Sequence, residues 1–150
     1  MKRLTTGIID IKHGMDFTVV EPCNLYGCQF GDHCFVGPFV EVQRGVVIGH
    51  RTRIQSHSFV CEGVTMGNDC FIGHGVMFIN DLFQEGGPAR GDTSKWKCTQ
   101  LGHHVSIGSN ATILPVSICD HAVIGAGAVV VNDIVEPGTY AGNPARKLHT

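Results

Sequence analysis

Bulky side chains are scarce in this 150-residue chain: aromatics make up 7 % of it, with a single tryptophan. That scarcity excludes an ordinary core of large interlocking rings and points to a backbone that packs small and branched residues. Charge is thin as well, 16 % of residues with a formal net charge of −2, which leaves no basic footprint for nucleic acid. No apolar run approaches the roughly 20 residues of a membrane span. The opening Met1-Lys2-Arg3-Leu4-Thr5-Thr6 lacks the apolar stretch of a secretory signal. A single soluble domain over 1–150, located in the cytoplasm, is the expectation. No two of the seven cysteines have C-x-x-C spacing, so reduced thiols are expected rather than disulfides or a thiolate metal site.

What is abundant is glycine, 20 residues, inside a chain that is 43 % hydrophobic. An apolar residue recurs every sixth position at Phe30, Val36, Val42, Ile48, Ile54, Val60, Met66, Ile72 and Phe78. Two positions before each stands a small or β-branched residue: Cys28, Cys34, Val40, Val46, Thr52, Ser58, Val64, Cys70 and Val76. A helix of period 3.6 cannot hold that register, and an ordinary strand does not turn so often. Each hexad reads as a short strand plus a bend, and three hexads close a triangular coil of 18 residues. Coils then stack at the strand spacing of about 4.8 Å to give an all-β prism of three parallel sheets.

The register breaks after Phe78 and resumes at Leu101, which defines a 17-residue insertion extruded over about 80–100. Leu101, Ile107, Ile113, Ile118, Ile124 and Val130 continue the series, with one corner shortened at Leu114-Pro115-Val116. The runs Gly7–Ile11 and Phe17–Val20 read as strands of irregular first coils, and residues 137–146 as a cap on the open end.

Counting in steps of 18 sorts the outward residues onto edges of the prism. Arg44, Glu62 and Asn80 fall on one edge, with Asp81 beside Asn80; His57 and His74 fall on another; His33, His50, His103, His104 and His121 share the third. The insertion leaves directly after Asn80 and carries Gly86-Gly87-Pro88-Ala89-Arg90-Gly91 and Lys95-Trp96-Lys97, an exposed tryptophan among cations suited to an anionic ligand. Zinc chemistry of the γ-carbonic anhydrase kind needs two histidines five apart, and none of the nine has that spacing, so no metal is expected.

The hexads, Gly125-Ala126-Gly127-Ala128-Val129-Val130 and the closing Ala141-Gly142-Asn143-Pro144-Ala145-Arg146 resemble the hexapeptide acyltransferase superfamily, from about Cys23 to the end. Ile72-Gly73-His74-Gly75-Val76-Met77-Phe78-Ile79-Asn80-Asp81, Gly86-Gly87-Pro88-Ala89 and Ala111-Thr112-Ile113-Leu114-Pro115-Val116 resemble, more narrowly, the N-acetyltransferases of nucleotide-linked 3-amino sugars. Those act on UDP-2-acetamido-3-amino-2,3-dideoxyglucuronate or on dTDP-3-amino-3,6-dideoxyhexoses, precursors of bacterial surface polysaccharides such as O-antigen. The resemblance implies a left-handed wind, a homotrimer with sites between neighbouring prisms, and acetyl-CoA as co-substrate. It also implies a coenzyme track along Gly108, Ala126, Gly142 and Asn143, with Arg146 and Lys147 toward the phosphates. Attack on a thioester needs a proton acceptor and oxyanion stabilisation. His57 and His74 are the candidate bases, Asn80 the candidate orienting amide, Glu62 and Asp81 candidate holders of the amine. Arg44, Arg51 and Arg53 are candidates for the substrate's carboxylate or pyrophosphate. A different amine or hydroxyl acceptor, or a trimeric scaffold without catalysis, are the alternatives.

Overall fold

The computed structural model describes Met1, Arg3 and residues 7–148. The reading of residues 1–6 as free of a secretory signal therefore falls largely outside the described residues. Beyond that start the chain winds as an all-β solenoid of about seven turns, a left-handed parallel β-helix.

The first sheet contains seven strands, Ile8–Ile9, Asn24–Tyr26, Glu41–Val42, Phe59–Val60, Met77–Phe78, Thr112–Ile113 and Val129–Val130. The second contains six, Lys12–His13, Gln29–Phe30, Val47–Ile48, Val64–Met66, Thr99–Leu101 and Ser117–Ile118. The third runs from Thr18–Val19 through Phe35–Val36, Arg53–Ile54, Phe71–Ile72, Ser106–Ile107 and Ala122–Ile124 to the cap strands Gly138–Ala141 and Arg146–Lys147.

The register is the one the hexads dictate. Val36 pairs with Ile54 and Ile54 with Ile72, steps of one coil. Across the insertion Phe78 pairs with Ile113, and beyond the shortened corner Ile113 pairs with Val130. All fifteen aliphatic hexad positions from Phe30 to Val130 are buried, none above 5 % exposed, and they form one continuous core. The companion positions are buried too, among them Cys28, Cys34 and Cys70. Burial pushes the Cys28 thiol up to about 11 and that of Cys61 to about 12, which keeps both as neutral core groups. The polar companions Thr52 and Ser58 are satisfied: Ser58 Oγ donates to the Gly73 carbonyl (2.8 Å) and accepts from the Val76 amide (3.2 Å).

Corners stack so closely that side chains are excluded at some of them. A Cβ on Gly67 would lie 2.5 Å from the Gly102 carbonyl oxygen. The corners also place residues in left-handed backbone, at His33, Phe39, Arg51, His57, Asp69, His104, Asn110 and His121. Most are types that tolerate it, which is why polar residues punctuate the hexads.

The extrusion is anchored at both ends. Asp81 accepts from the amides of Phe83 (3.0 Å) and Ala89 (2.7 Å), Asp92 caps the 3₁₀ turn Thr93–Lys95, and the Lys97 amide returns to the Asn80 carbonyl (2.9 Å). Trp96 is half-buried rather than exposed. At the other end Gly138–Ala141 joins the third sheet in parallel and Arg146–Lys147 folds back antiparallel, the expected departure from the repeat. No helix among the described residues is long and apolar enough to cross a membrane.

Candidate functional site

The three edges differ in what their side chains are committed to. On the edge between the second and third sheets, residues of successive coils bond one another. Asp32 accepts from the Met15 amide (2.8 Å), and its own amide donates to His50 Nδ1 (2.9 Å). The His50 amide donates to Asn68 Oδ1 (2.9 Å), the Asn68 amide to His103 Nδ1 (3.0 Å), and the His103 amide to Asp120 (2.7 Å). One position on, His33 pairs with Asp16 (3.1 Å), Arg51 grips Asp69 through two bonds (2.7 and 2.8 Å), and His104 stacks on His121. The amide of Met15 holds the Asp32 carboxyl below its ordinary value, and the Arg51 guanidinium does the same for Asp69. This edge is a structural ladder.

That ladder separates the three candidate arginines. Arg51 is already spent on Asp69, and Arg53 lies on the flat of the third sheet, its guanidinium 4.3 Å from the Phe35 ring centroid. Arg44 alone stands on the edge with Glu62 and Asn80, so the three do not form one anion site.

The edge between the first and second sheets holds that column. Asn80 Nδ2 donates to the Glu62 carbonyl (3.0 Å), which fixes the amide and leaves its oxygen open. Glu62's carboxylate and the Arg44 guanidinium have no ion-pair partner among the described residues. Asp81 stands next to them, but both its oxygens hold the excursion and line a cavity of about 430 Å³ with Gln84–Arg90 and Lys95. Lys95 is tied to Glu85 (2.6 Å), whereas Arg90 has no acidic partner among the described residues.

The edge between the third and first sheets is the barest. Its backbone ladder climbs from Pro38 through Ser56, His74 and Ser109 to Ala126: His57 bonds Pro38, Gly75 bonds Ser56, Asn110 bonds His74 and Gly127 bonds Ser109. His57 and His74 are both exposed and share this edge on neighbouring coils. His74 Nδ1 lies 2.8 Å from Ser56 Oγ, so with Nδ1 protonated toward Ser56 its Nε2 is an outward acceptor. His57 has no side-chain hydrogen bond among the described residues; its ring stacks on Phe39 at 4.9 Å. Higher on the same edge a Cβ on Gly108 would meet the Ala126 amide at 2.5 Å, and one on Gly127 would meet nothing within 4 Å. The upper edge is thus a strip of nearly bare backbone beside two imidazoles.

Gly142 takes a left-handed φ of 92°, and its carbonyl accepts from the Val129 amide (3.0 Å). Lys147 is bound to Glu136 (3.2 Å), while exposed Arg146 donates to the Ala145 carbonyl (3.0 Å). Among the described residues no group of three histidine, cysteine or carboxylate side chains is placed to hold a metal. Sequence reasoning missed Ser56, Phe39, Asp69 and Asn68; each lies 18 residues from a residue already singled out, so the same count carried the signal.

Residues 27–62 match the family model for the bacterial transferase hexapeptide (six repeats), and residues 99–131 that for the hexapeptide repeat of succinyl-transferase. The bifunctional protein GlmU of Latilactobacillus sakei is 38 % identical over 109 residues, 72 % of this chain and 21 % of that protein. The chain spans only 20 % to 24 % of the length of such curated relatives. The acetyltransferase domain of PglB from Neisseria gonorrhoeae, solved with acetyl coenzyme A, superposes with a TM-score of 0.68 at 23 % identity, covering 95 % of this chain and 58 % of that one. Perosamine N-acetyltransferase from Caulobacter crescentus, solved with CoA and GDP-perosamine, gives 0.62 at 17 %, covering 97 % and 58 %. At such identities the structural likeness establishes the fold.

Proposed function

We propose that this chain, a member of the hexapeptide-repeat superfamily by its repeats and its fold, is an acetyl-CoA-dependent N-acetyltransferase acting on the 3-amino group of a nucleotide-linked sugar. One observation carries the reading: a single edge runs unbroken from two exposed imidazoles, His57 and His74, to the backbone of Gly108 and Ala126. The bare strip suits a pantetheine arm, whose amides need close backbone approach. The imidazole suits the proton of an amine attacking the thioester carbon. In that step the amine nitrogen bonds the carbonyl carbon, His74 Nε2 takes the amine proton, the carbon–sulfur bond breaks, and the imidazolium passes the proton to the leaving sulfur to release the coenzyme thiol. Ser56 holds the ring so that Nε2 faces outward. Arg146, without an acidic partner among the described residues, suits coenzyme phosphates better than Lys147, which Glu136 occupies.

Arg44, Glu62 and Asn80 lie on a different edge of the same prism, so they join His74 only if a second copy supplies them. The reading therefore includes a homotrimer with sites at the contacts, where the Asn80 oxygen orients the acceptor amine. Solved neighbours of the same fold that bind acetyl coenzyme A or GDP-perosamine support the ligand classes. The reading also makes this a cytoplasmic enzyme of surface-polysaccharide synthesis.

The test is thiol release from acetyl-CoA against a panel of nucleotide-linked amino sugars that includes the 3-amino glucuronate and the 3-amino-6-deoxyhexoses. Turnover confined to 3-amino sugars establishes reaction and acceptor together. Silence across the panel with acetyl-CoA still bound discards the acceptor, and silence without binding discards the enzyme.

A further inference from the structure

The edge that carries His74 continues downward, below both histidines, to a feature the acetyl transfer does not use. Phe39 sits at its corner with φ 60° and is 57 % exposed. At the other non-glycine left-handed corners of the prism the residue is His, Asp, Asn or Arg, types that tolerate the backbone or reach solvent with a polar tip. Phe39 flanks a groove of about 310 Å³ walled by Pro22, Cys23 and Val40, with Asn24 and Glu41 at its rim. Both rim residues are half-satisfied. Glu41 Oε1 accepts from Tyr26 (3.0 Å) and Gln43 (3.3 Å), and Asn24 Oδ1 accepts from the Gly7 amide (3.2 Å); among the described residues Glu41 Oε2 and the Asn24 amide nitrogen have no hydrogen-bond partner. A carboxylate oxygen beside an amide donor and an aromatic face matches the imide edge of a planar heterocycle, N–H to Glu41 and carbonyl to Asn24.

The edge is also a ruler. Phe39 and His57 are one coil apart, their rings 4.9 Å between centroids, and His74 is one coil further. Two coils span about 10 Å, which leaves room for a ribose and a diphosphate between a base on Phe39 and a sugar at His74. The coenzyme enters from the opposite direction, along Ala126 and Gly108, so the lower edge is the side left for the acceptor.

We propose that the Phe39 groove receives the nucleobase of the acceptor, that His57 lies against its diphosphate, and that His74 is the histidine facing the amine. The assignment rests on the acetyltransferase reading, which gives His74 the amine proton, and adds to it the base groove and a role for His57. It selects for bases with a ring N–H beside a carbonyl, the imide of UDP and dTDP or the lactam of GDP, over CDP.

The experiment titrates the full-length protein with UDP, CDP, uridine and CoA separately, by calorimetry and by NMR. Phe39→Asn, which suits a left-handed corner, and Glu41→Gln, which keeps the Tyr26 bond, are each expected to weaken UDP binding at least tenfold and leave CoA affinity unchanged. His57→Gln is expected to weaken UDP but not uridine. UDP affinity unmoved in Phe39→Asn and Glu41→Gln while CoA still binds overturns the groove and leaves the acetyltransferase standing. Failure of CoA to bind the wild type overturns both. A change in sedimentation of Phe39→Asn, with UDP binding intact, overturns the groove by making Phe39 a contact between copies.

Discussion

Two edges of one prism carry histidines at equivalent corner positions, yet they differ in what the rings do. On the His50 edge the His50 and His103 rings accept backbone amides from the coil before, alternate with aspartate and asparagine, and close a ladder from Met15 to Asp120. On the His74 edge one ring touches a serine, the other a phenylalanine, and the corners above present the Ser109 hydroxyl and the glycines Gly108 and Gly127. Residue type and spacing are nearly the same; the difference lies in the neighbours one coil away. A histidine flanked by residues that satisfy it holds the solenoid together, and one flanked by glycine, alanine or a lone hydroxyl is available for chemistry.

The largest effect breaks both edges together. Ile72, fully buried, lies in the sheet that joins them, and Ile72→Asp places an unpaired charge in the core at a cost of about 5 kcal/mol or more, comparable with the stability of a whole domain. No folded, soluble protein is expected by circular dichroism; a folded variant would contradict the register.

Next comes the substitution that separates the edges. His74→Gln is expected to lower turnover by roughly 10²- to 10⁴-fold with an unchanged melting temperature, while Asp69→Asn and Asp32→Asn lower the melting temperature and spare turnover. The reverse pattern, activity lost from the ladder variants, would exchange the roles of the two edges. Asn80→Ala falls between: loss of its bond to the Glu62 carbonyl costs about 1 kcal/mol, or roughly 2–4 °C in melting temperature, together with a fall in turnover. Wild-type turnover in that variant removes Asn80 from the site.

The smallest effect is in acid. Asp32 and Asp69 are held below the ordinary carboxylate value in the folded chain, so their contribution is complete above the unfolded value of about 4 and is lost as pH falls through the folded values. Melting temperatures should fall below about pH 4, and the double variant Asp32→Asn, Asp69→Asn should flatten that slope. An unchanged slope would deny these two carboxylates their part in acid sensitivity.

The core was fully legible in the hexads, because a six-residue period with an inward aliphatic leaves no other register that buries it. The shortened corner at Leu114–Val116 and the extrusion after Phe78 were legible for the same reason, as breaks in a count. What stayed hidden were partnerships between outward side chains. Arg51 shares its charge and apparent availability with Arg44 and Arg53 until its rotamer meets Asp69 one coil above. Asp81 reads as a free carboxylate beside Asn80 until the excursion folds and turns the Ala89 amide toward it. Hydrogen-bond direction within a coil stack is set by rotamer and by the neighbouring coil together, and a linear spacing specifies neither.

The alternation of inward aliphatic and outward polar residues gives every exposed side chain an address made of a coil and an edge. Moving a group by one coil translates it about 4.8 Å along the prism and preserves its orientation. Moving it by one edge turns it a third of the way round the axis. Neither displacement touches the buried column, so the chemistry of such a prism can be rewritten one address at a time. A longer or shorter ligand is met by sliding a residue up or down an edge, with no need to reshape a pocket.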